Sequence, residues 1–571
     1  MILRRVRARL NDEGVLGLAA LAVAALLALP VLVVVGHLAL PWSDTWTHLR
    51  ETVLAGYVLN TAVLVAGVGV GVAVVGVATA WLATMCDFPG RRLLEWALLL
   101  PLAVPAYVIA YTYTDLLQYA GPVQTALRDA FGWSRDDYWF PHVRSLGGAV
   151  AMFVFVLYPY VYLLARAAFL NQSVCVLDVS RSLGAGPWGS FARVALPLAR
   201  PAVAAGVALA LMETVADFGT VSFFAVPTFT TGIYKAWFAM GDRPVATQMA
   251  ALLLLVVLAI LAAERVSRGG RRFHQTSRLY RPLQRHALRG WRAGAALAAC
   301  VLPLALGFVV PVAVLARMAA IDGLPNASPR FVQAALSSLL LAGTAAVVTV
   351  AVALLLAQAV RARASGLGSL AQRIAMLGYA VPGSVMAVGI LVPLTALDNA
   401  VDGAARSLFG LATGLLLTGS AAALVFAYVA RFLAVGLGAV DASLAKVSPS
   451  MDGAARSLGE RPFGVLTRVH LPLAWGGALS AALLVFVDVL KELPATLLMR
   501  PFDMDTLAVL AHNLASDERL GEASLPALAI VAVGLAPIVL LSRAVARSRP
   551  GHPAPGGAGG GGEGYFQPTR S

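Results

Sequence analysis

The chain has 571 residues, of which 59% are hydrophobic and 13% charged, with a formal net charge of +14 and a mean hydropathy of +0.79. Soluble domains carry about 25% charged residues, so the composition excludes an ordinary soluble enzyme and points to a chain built for lipid. The arginines cluster between apolar runs, the positive-inside pattern of a membrane protein, which sets aside a nucleic-acid partner.

A helix needs about 20 apolar residues to cross the hydrocarbon core. An Arg-rich N-terminus precedes Val15–Leu38, which is too long for a signal-peptide core and lacks a cleavage region, so it is expected to be the first span. Val58–Met85, Leu93–Leu117, Leu146–Leu170, Pro201–Phe224 and Val245–Ala263 follow. A second set comprises Ala293–Val314, Ala334–Val360, Leu370–Leu397, Leu408–Leu433, Gly477–Met499 and Ser524–Leu541. The fold class expected is an all-α polytopic membrane protein with about 12 transmembrane helices.

Arginine placement orients these spans. Arg4, Arg5, Arg7 and Arg9 hold the N-terminus in the cytoplasm, and Arg91, Arg92, Arg361, Arg363, Arg373, Arg543, Arg547 and Arg549 fall on the same side. The expected outer loops carry Asp129, Asp136, Asp137, Asp398, Asp402, Asp503, Asp505, Asp517 and Glu518. The protein is therefore expected in a bacterial cytoplasmic (inner) membrane, with both termini on the cytoplasmic side. The expected units are a first membrane domain at 1–264, a basic cytoplasmic linker at 265–292, a second membrane domain at 293–545 and a disordered Gly/Pro-rich tail at 546–571. Cys86, Cys175 and Cys300 lie far apart and no histidine pair has ligand spacing, so no metal site is read.

The chain repeats itself. Arg181-Ser182-Leu183-Gly184 recurs 275 residues later as Arg456-Ser457-Leu458-Gly459, and Leu196-Pro197-Leu198-Ala199 recurs at the same offset as Leu471-Pro472-Leu473-Ala474. Ala103-Val104-Pro105 pairs with Ala380-Val381-Pro382 at an offset of 277. Six spans per copy put both copies the same way up, a parallel repeat. The repeated polar stretches, 178–199 and 453–474, lie between the fourth and fifth spans of each half.

These stretches resemble the EAA loop of ABC importer permeases, whose pattern is E-A-A-x3-G-x9-I-x-L-P. Gly184 and Gly459 are each followed by nine residues and then by Val194 to Pro197 or Val469 to Pro472. The acidic position holds Asp178 in the first copy and Gly453 in the second, with Asp452 one residue early; the second copy keeps the paired Ala454 and Ala455, and the first does not. The resemblance implies a type I importer fold whose docking residues are Asp178, Gly184, Leu196, Pro197, Ala454, Ala455, Gly459, Leu471 and Pro472. It also implies a separate ABC ATPase subunit, two copies for two loops, and a periplasmic or lipid-anchored substrate-binding protein. A string identical to Asp452 through Leu458 occurs at Asp402 through Leu408, but it lacks the downstream Leu-Pro and is read as carrying no docking role.

No phosphate-cradling G-x-x-x-x-G-K-[ST] occurs, so the chain is expected to bind no cofactor, to be no enzyme, and to rely on a partner for ATP hydrolysis. Glu213 and Asp217, matched at offset 275 by Asp488 and Glu492, are costly in a span and are the candidate translocation pathway. Their spacing of four predicts one helical face for each pair. Two readings stay open: the carboxylates line a cation pathway, or they brace helix ends with Lys491 as a neutralising neighbour. Tyr111, Tyr113, Tyr119, Trp133, Tyr138 and Trp139 are read as an interfacial aromatic belt rather than as metal ligands. The strings around the carboxylates are most similar to fused, double-length ferric-iron permeases, with thiamine permeases as the nearest alternative. A secondary transporter with parallel repeats would fit the span count, and a membrane scaffold the composition. Neither calls for both duplicated loops and paired carboxylates.

Overall fold

The computed structural model describes residues 2–170, 186–268, 285–325, 328–361, 366–445 and 447–547, together with Gln172, Ser182 and Gly184. Hydrocarbon offers no hydrogen-bond partners, so a spanning backbone must satisfy itself as helix. Among the described residues eleven helices are long and apolar enough to cross a membrane, and a bent pair supplies a twelfth.

In the first half, α1 (Ile2–Gly36), α2 (Leu54–Met85) and the short strand β1 (Cys86–Asp87) lead into α3 (Arg91–Ala97) and α4 (Ala106–Leu117). Then come α5 (Pro122–Phe131), α6 (Leu146–Leu170), α7 (Leu196–Ala216), α8 (Gly219–Phe223) and α9 (Arg243–Arg268). The strand β2 (His286–Ala287) closes the linker by pairing in parallel with β1. The second half runs through α10 (Trp291–Leu304), α11 (Val310–Met318), α12 (Pro329–Arg361), α13 (Leu367–Ala375) and α14 (Gly383–Phe409). It ends with α15 (Ala421–Leu444), α16 (Pro449–Ser457), α17 (Leu471–Leu490), α18 (Pro494–Met499), α19 (Leu507–Ser516) and α20 (Leu520–Arg547). The parallel repeat is visible in the helix starts: α2 and α12, α6 and α15, and α7 and α17 each begin 275 residues apart. Linker residues 269–284 and tail residues 548–571 lie outside the described residues.

Four expected spans are drawn differently. The third, expected as Leu93–Leu117, is broken between Ala103 and Ala106 and bends by 93°. Pro105 starts α4 with a fixed φ and no N–H to continue the preceding helix. The ninth, expected as Leu370–Leu397, is the short α13 followed by α14, which extends to Phe409. The tenth, expected as Leu408–Leu433, begins only at Ala421, because Gly410, Gly414 and Gly419 take φ of +68°, +64° and +75° and turn an apolar stretch into a loop. The fifth, expected as Pro201–Phe224, starts earlier and ends at Ala216. Asp398 and Asp402, expected in an outer loop, stand on α14. They cap that same loop, with Asp398 accepting from the N–H of Leu417 and Thr418 and Asp402 from Thr413 and Gly414.

The two halves exchange their first spans. α1 packs on α13 and α14 of the second half, while the seventh span, α10 and α11 with the turn between them, packs on α2, α4, α6 and α20. Both contacts run backbone to backbone through a glycine. A Cβ on Gly389 would lie 2.4 Å from the Pro30 carbonyl oxygen of α1, and one on Gly307 would lie 2.3 Å from that of Phe155 on α6. Larger side chains there must push whole helices apart, a class of change that costs about 1–3 kcal/mol or more. Gly389→Val and Gly307→Val are therefore expected to lower the thermal midpoint of the detergent-purified protein. Gly343→Val, at a position with nothing within 4 Å, should leave the midpoint near wild type, as differential scanning fluorimetry would show.

Candidate functional site

The site grows from one repeated interruption. α7 stops at Asp217, whose own backbone is extended (φ −68°, ψ 138°). Its carboxylate accepts hydrogen bonds from the N–H of Thr220 at 2.8 Å and of Val221 at 3.3 Å, and from Thr220 Oγ1 at 3.2 Å. These are the unpaired donors at the start of α8. In the second half α17 stops at Leu490, and Glu492 accepts from the N–H of Ala495 at 2.9 Å and of Thr496 at 3.0 Å at the start of α18. In both halves the capping carboxylate serves donors three and four residues ahead. The expectation of one continuous helical face for each pair is therefore corrected: the helix breaks between Glu213 and Asp217, and between Asp488 and Glu492.

All four carboxylates nevertheless line a single cavity of about 120 Å³. Equivalent positions of the two halves line it together: Glu213 and Asp488, Asp217 and Glu492, Val156 and Arg431, Ala216 and Lys491. The last two pairs break the symmetry, because both cations come from the second half. Arg431 Nη1 sits 2.6 Å from Glu492 Oε1, and Lys491 Nζ sits 2.9 Å from Asp488 Oδ1. The second half thus neutralises its own carboxylates. On the first half's wall Asp217 has only hydrogen-bond donors. The Glu213 carboxylate has no hydrogen-bond or ion-pair partner among the described residues. Four carboxylates against two cations give the lining a formal charge of minus two, the two carboxylates without a contact ion pair both belonging to the first half.

Tyr107, Tyr160 and Tyr379 complete the polar lining. Toward Asp115, two turns further along α4, the cavity is closed by rings. Tyr111 bonds His512 at 2.8 Å across the two halves and packs edge-on against Phe223, while Phe218 stacks on Tyr234. Tyr234 also donates to the Pro494 carbonyl of the opposite half. Tyr111 and Tyr113 are buried, and Tyr113 bonds the Leu306 carbonyl at 2.7 Å. They are packing residues rather than part of an interfacial belt, which Tyr119, Trp133 and Trp139 fit by their exposure. Sequence reading missed Arg431, Tyr107, Tyr160 and Tyr379. Arg431 carried a usable signal, a charge inside an apolar run; the tyrosines carried none, because aromatic residues are ordinary in spans.

At one end of the bundle lie the repeated loops. Gly184 and Gly459 both take left-handed backbone, with φ of +82° and +96°, a conformation glycine adopts without steric cost. Pro197 and Pro472 stand in the first turns of α7 and α17, as a proline at a helix start should. A π-helical turn precedes each of these helices, Phe191–Ala195 and Leu466–His470, again 275 residues apart. Trp188 and Phe463, equivalent positions near the turns, are 66% and 74% exposed. Asp178 lies outside the described residues. Ala454 and Ala455 sit on α16, Ala455 facing inward. Asp452, the displaced acid of the second loop, is buried rather than presented outward. It holds Arg361 at 2.9 Å and His470 at 2.7 Å, and Arg361 also donates to the carbonyls of Leu444 and Val447. This strap ties the loop to the ends of α12 and α15. The first half has Cys86 and Ala195 where the strap has Arg361 and His470.

Comparison with known proteins places these features in context. Residues 73–269 match the family described as binding-protein-dependent transport system inner membrane component. The chain is similar to a Fe(3+)-transport system permease protein of Haemophilus influenzae, 26% identical over 86% of this chain and 90% of that protein. It is 30% identical to a sulfate transport system permease protein of Escherichia coli, over 45% of this chain and 93% of that one. A molybdenum transport system permease protein of the same species is 30% identical over 32% of this chain and 79% of its own length.

The Asp452 strap makes a pH-dependent contribution to stability. Burial raises its carboxyl, but hydrogen bonds and charge from His470 and Arg361 outweigh that and hold it below the ordinary carboxylate range. A lowered folded value means that the contribution is complete above the unfolded value, about 4. It is lost as pH falls through the folded one. The stabilising difference in thermal midpoint between wild type and Asp452→Asn should therefore shrink as pH falls below about 4. Midpoints measured on both sides of that pH check the sign.

Proposed function

We propose that this chain, which belongs to the family of binding-protein-dependent transport inner-membrane components and is a multi-pass inner-membrane permease, carries ferric iron. Its two halves act as both membrane subunits of an ATP-driven importer. A binding protein delivers cargo on one side, and a separate ATPase, in two copies for two loops, acts on the cytoplasmic side. The observation that carries the cargo assignment is the net negative cavity at the meeting point of α7 and α17. Sulfate and molybdate are oxyanions, and a lining negative by two charges in a low-dielectric setting repels them. Thiamine shares the positive sign, but pockets for organic ligands of its kind run from roughly 300 Å³ upward, against about 120 Å³ here.

The paired loops support the docking reading. Each combines a left-handed glycine, an exposed aromatic residue and a proline-started helix leading to the cavity. An exposed Trp or Phe at the same place in two copies is the kind of apolar surface that a partner covers. The capping geometry of Asp217 and Glu492 supports a bracing role for them, and we place the pathway role most directly on Glu213 and Asp488.

Two measurements test this reading. Vesicles reconstituted with the chain, its ATPase and its binding protein should accumulate labelled ferric iron only with ATP, and should exclude molybdate, sulfate and thiamine. Glu213→Gln should cut iron uptake at least about tenfold, the effect of about 1.4 kcal/mol or more on the translocation barrier. Accumulation of an oxyanion or of thiamine instead of iron would contradict the cargo assignment. Separately, Gly184→Val with Gly459→Val places β-branched residues at positive φ, and ATPase co-purification should be lost while the permease still elutes as a folded species. Full retention of the ATPase would contradict the docking role.

A further inference from the structure

Polar groups without a contact partner lie together in the lining of the cavity. Asp217, Glu492 and Asp488 are each satisfied by donors or a cation at contact distance; Glu213 has no hydrogen bond or ion pair at contact distance among the described residues, although Lys491 lies within electrostatic reach of it. The hydroxyls of Tyr160 and Tyr379, which line the cavity beside it, likewise form no hydrogen bond among the described residues. Tyr160 and Tyr379 lie within electrostatic reach of each other and of Glu213 and Asp488, with Arg431 also near Tyr160 and Lys491 near Tyr379. An independent sign comes from Tyr107. It is only 4% exposed and lines the same cavity, and among the described residues its hydroxyl has no hydrogen-bond partner, which leaves it free to bond a visiting water or ion.

We propose that the cavity contains a transit site for a hard metal cation, formed by the Glu213 carboxylate and the phenol hydroxyls of Tyr160 and Tyr379. Tyr107 stands at the closed end to receive the ion's outer contacts. This rests on the cation-cargo reading above and names its ligands. Apart from the ion-paired Arg431 and Lys491, the lining among the described residues offers oxygen and neither imidazole nor thiol, the donor set that hard cations select. Each phenol that binds the ion as phenolate releases its proton to water, so no other reactant is needed. Among the described residues no three His, Cys, Asp or Glu side chains gather to hold a metal. That suits a pathway, in which a site must be strong enough to enter and weak enough to leave. Lys491, paired with Asp488, supplies a tethered positive charge that keeps the empty cavity from binding cations tightly.

The test uses the full chain purified in detergent and ferric iron presented as its nitrilotriacetate chelate. Retained iron is counted by equilibrium dialysis, and phenolate ligation is read from a visible charge-transfer absorption band. Wild type should retain iron and show the band. Glu213→Gln should weaken retention at least about tenfold, and Tyr160→Phe with Tyr379→Phe should abolish the band. Glu213→Asp should preserve both, and all variants should keep the wild-type elution profile. Wild type that retains no iron, or variants with unchanged retention and band, would overturn the site. Uptake separates this from the broader reading. Variants that transport iron at the wild-type rate remove the site alone, whereas a wild-type chain that transports no iron removes the cargo assignment.

Discussion

A carboxylate placed in apolar surroundings must be given donors or a counter-charge, because leaving it bare costs more than a span can absorb. Asp217 and Glu492 meet this demand by ending their helices and capping the next ones, each accepting backbone N–H bonds from residues three and four ahead. The break follows from the cap. A continuous helix has no free N–H groups at that depth, so a carboxylate can be satisfied there only where a helix begins anew. The same breaks open the cavity, since two interrupted helices cannot pack against each other along their full length. The pathway residues and the braces are thus parts of one device.

Duplication explains the frame, and departures from it explain the chemistry. Exchange of the first spans ties the halves through the close backbone approaches at Gly389 and Gly307, so neither half has a separable core. Within that frame the second half has Arg431 and Lys491 where the first has Val156 and Ala216. A homodimer of single-length subunits would have both cations or neither on each side. Fusion permits one neutral wall and one negative wall. A similar exchange occurs at the end of the bundle that bears the repeated loops: Glu95 pairs with Arg166 in the first half, while the equivalent contact in the second is Gln372 with Asp441. The contact survives with its charges altered on both partners, which locates the joint between the short helix before the pathway and α6 or α15.

The repeat, its offset and the number of spans were legible because they rest on apolar length and on identical strings. Helix breaks were less so. Leu411 and Leu415 to Leu417 read as membrane-embedded by hydropathy, yet three glycines at positive φ hold them in a loop. Hydropathy averages over the residues that set backbone direction. The two copies of Asp-Gly-Ala-Ala-Arg-Ser-Leu show the complementary point. At 402–408 and at 452–458 the string forms the last turns of a helix, followed by a left-handed glycine, Gly410 or Gly459. The string encodes a helix terminus, and only its surroundings decide whether that terminus stands among polar loops or beside the start of a pathway helix. Carboxylates read as candidates from their cost proved to share a cavity. Their division into caps and open groups depended on contacts three and four residues ahead, across a break that hydropathy does not register.

The route from loop to cavity is mechanically short. Each loop passes through a π-helical turn into α7 or α17, and α7 then runs 21 residues without a break, about 30 Å of rigid rod. π-helical turns are local weak points in an otherwise regular ladder, and here they sit where the loop joins the rod rather than along it. At the far end the rod stops at a carboxylate cap, not at a packed continuation. A displacement applied at the loops therefore has two places to be absorbed, the π-turn and the cap. The second loop is stiffened at the first of these by the Arg361–Asp452–His470 strap. The first loop has Cys86 and Ala195 at the corresponding places. A push on the second loop is therefore passed to the cation-bearing wall with little lost at its π-turn.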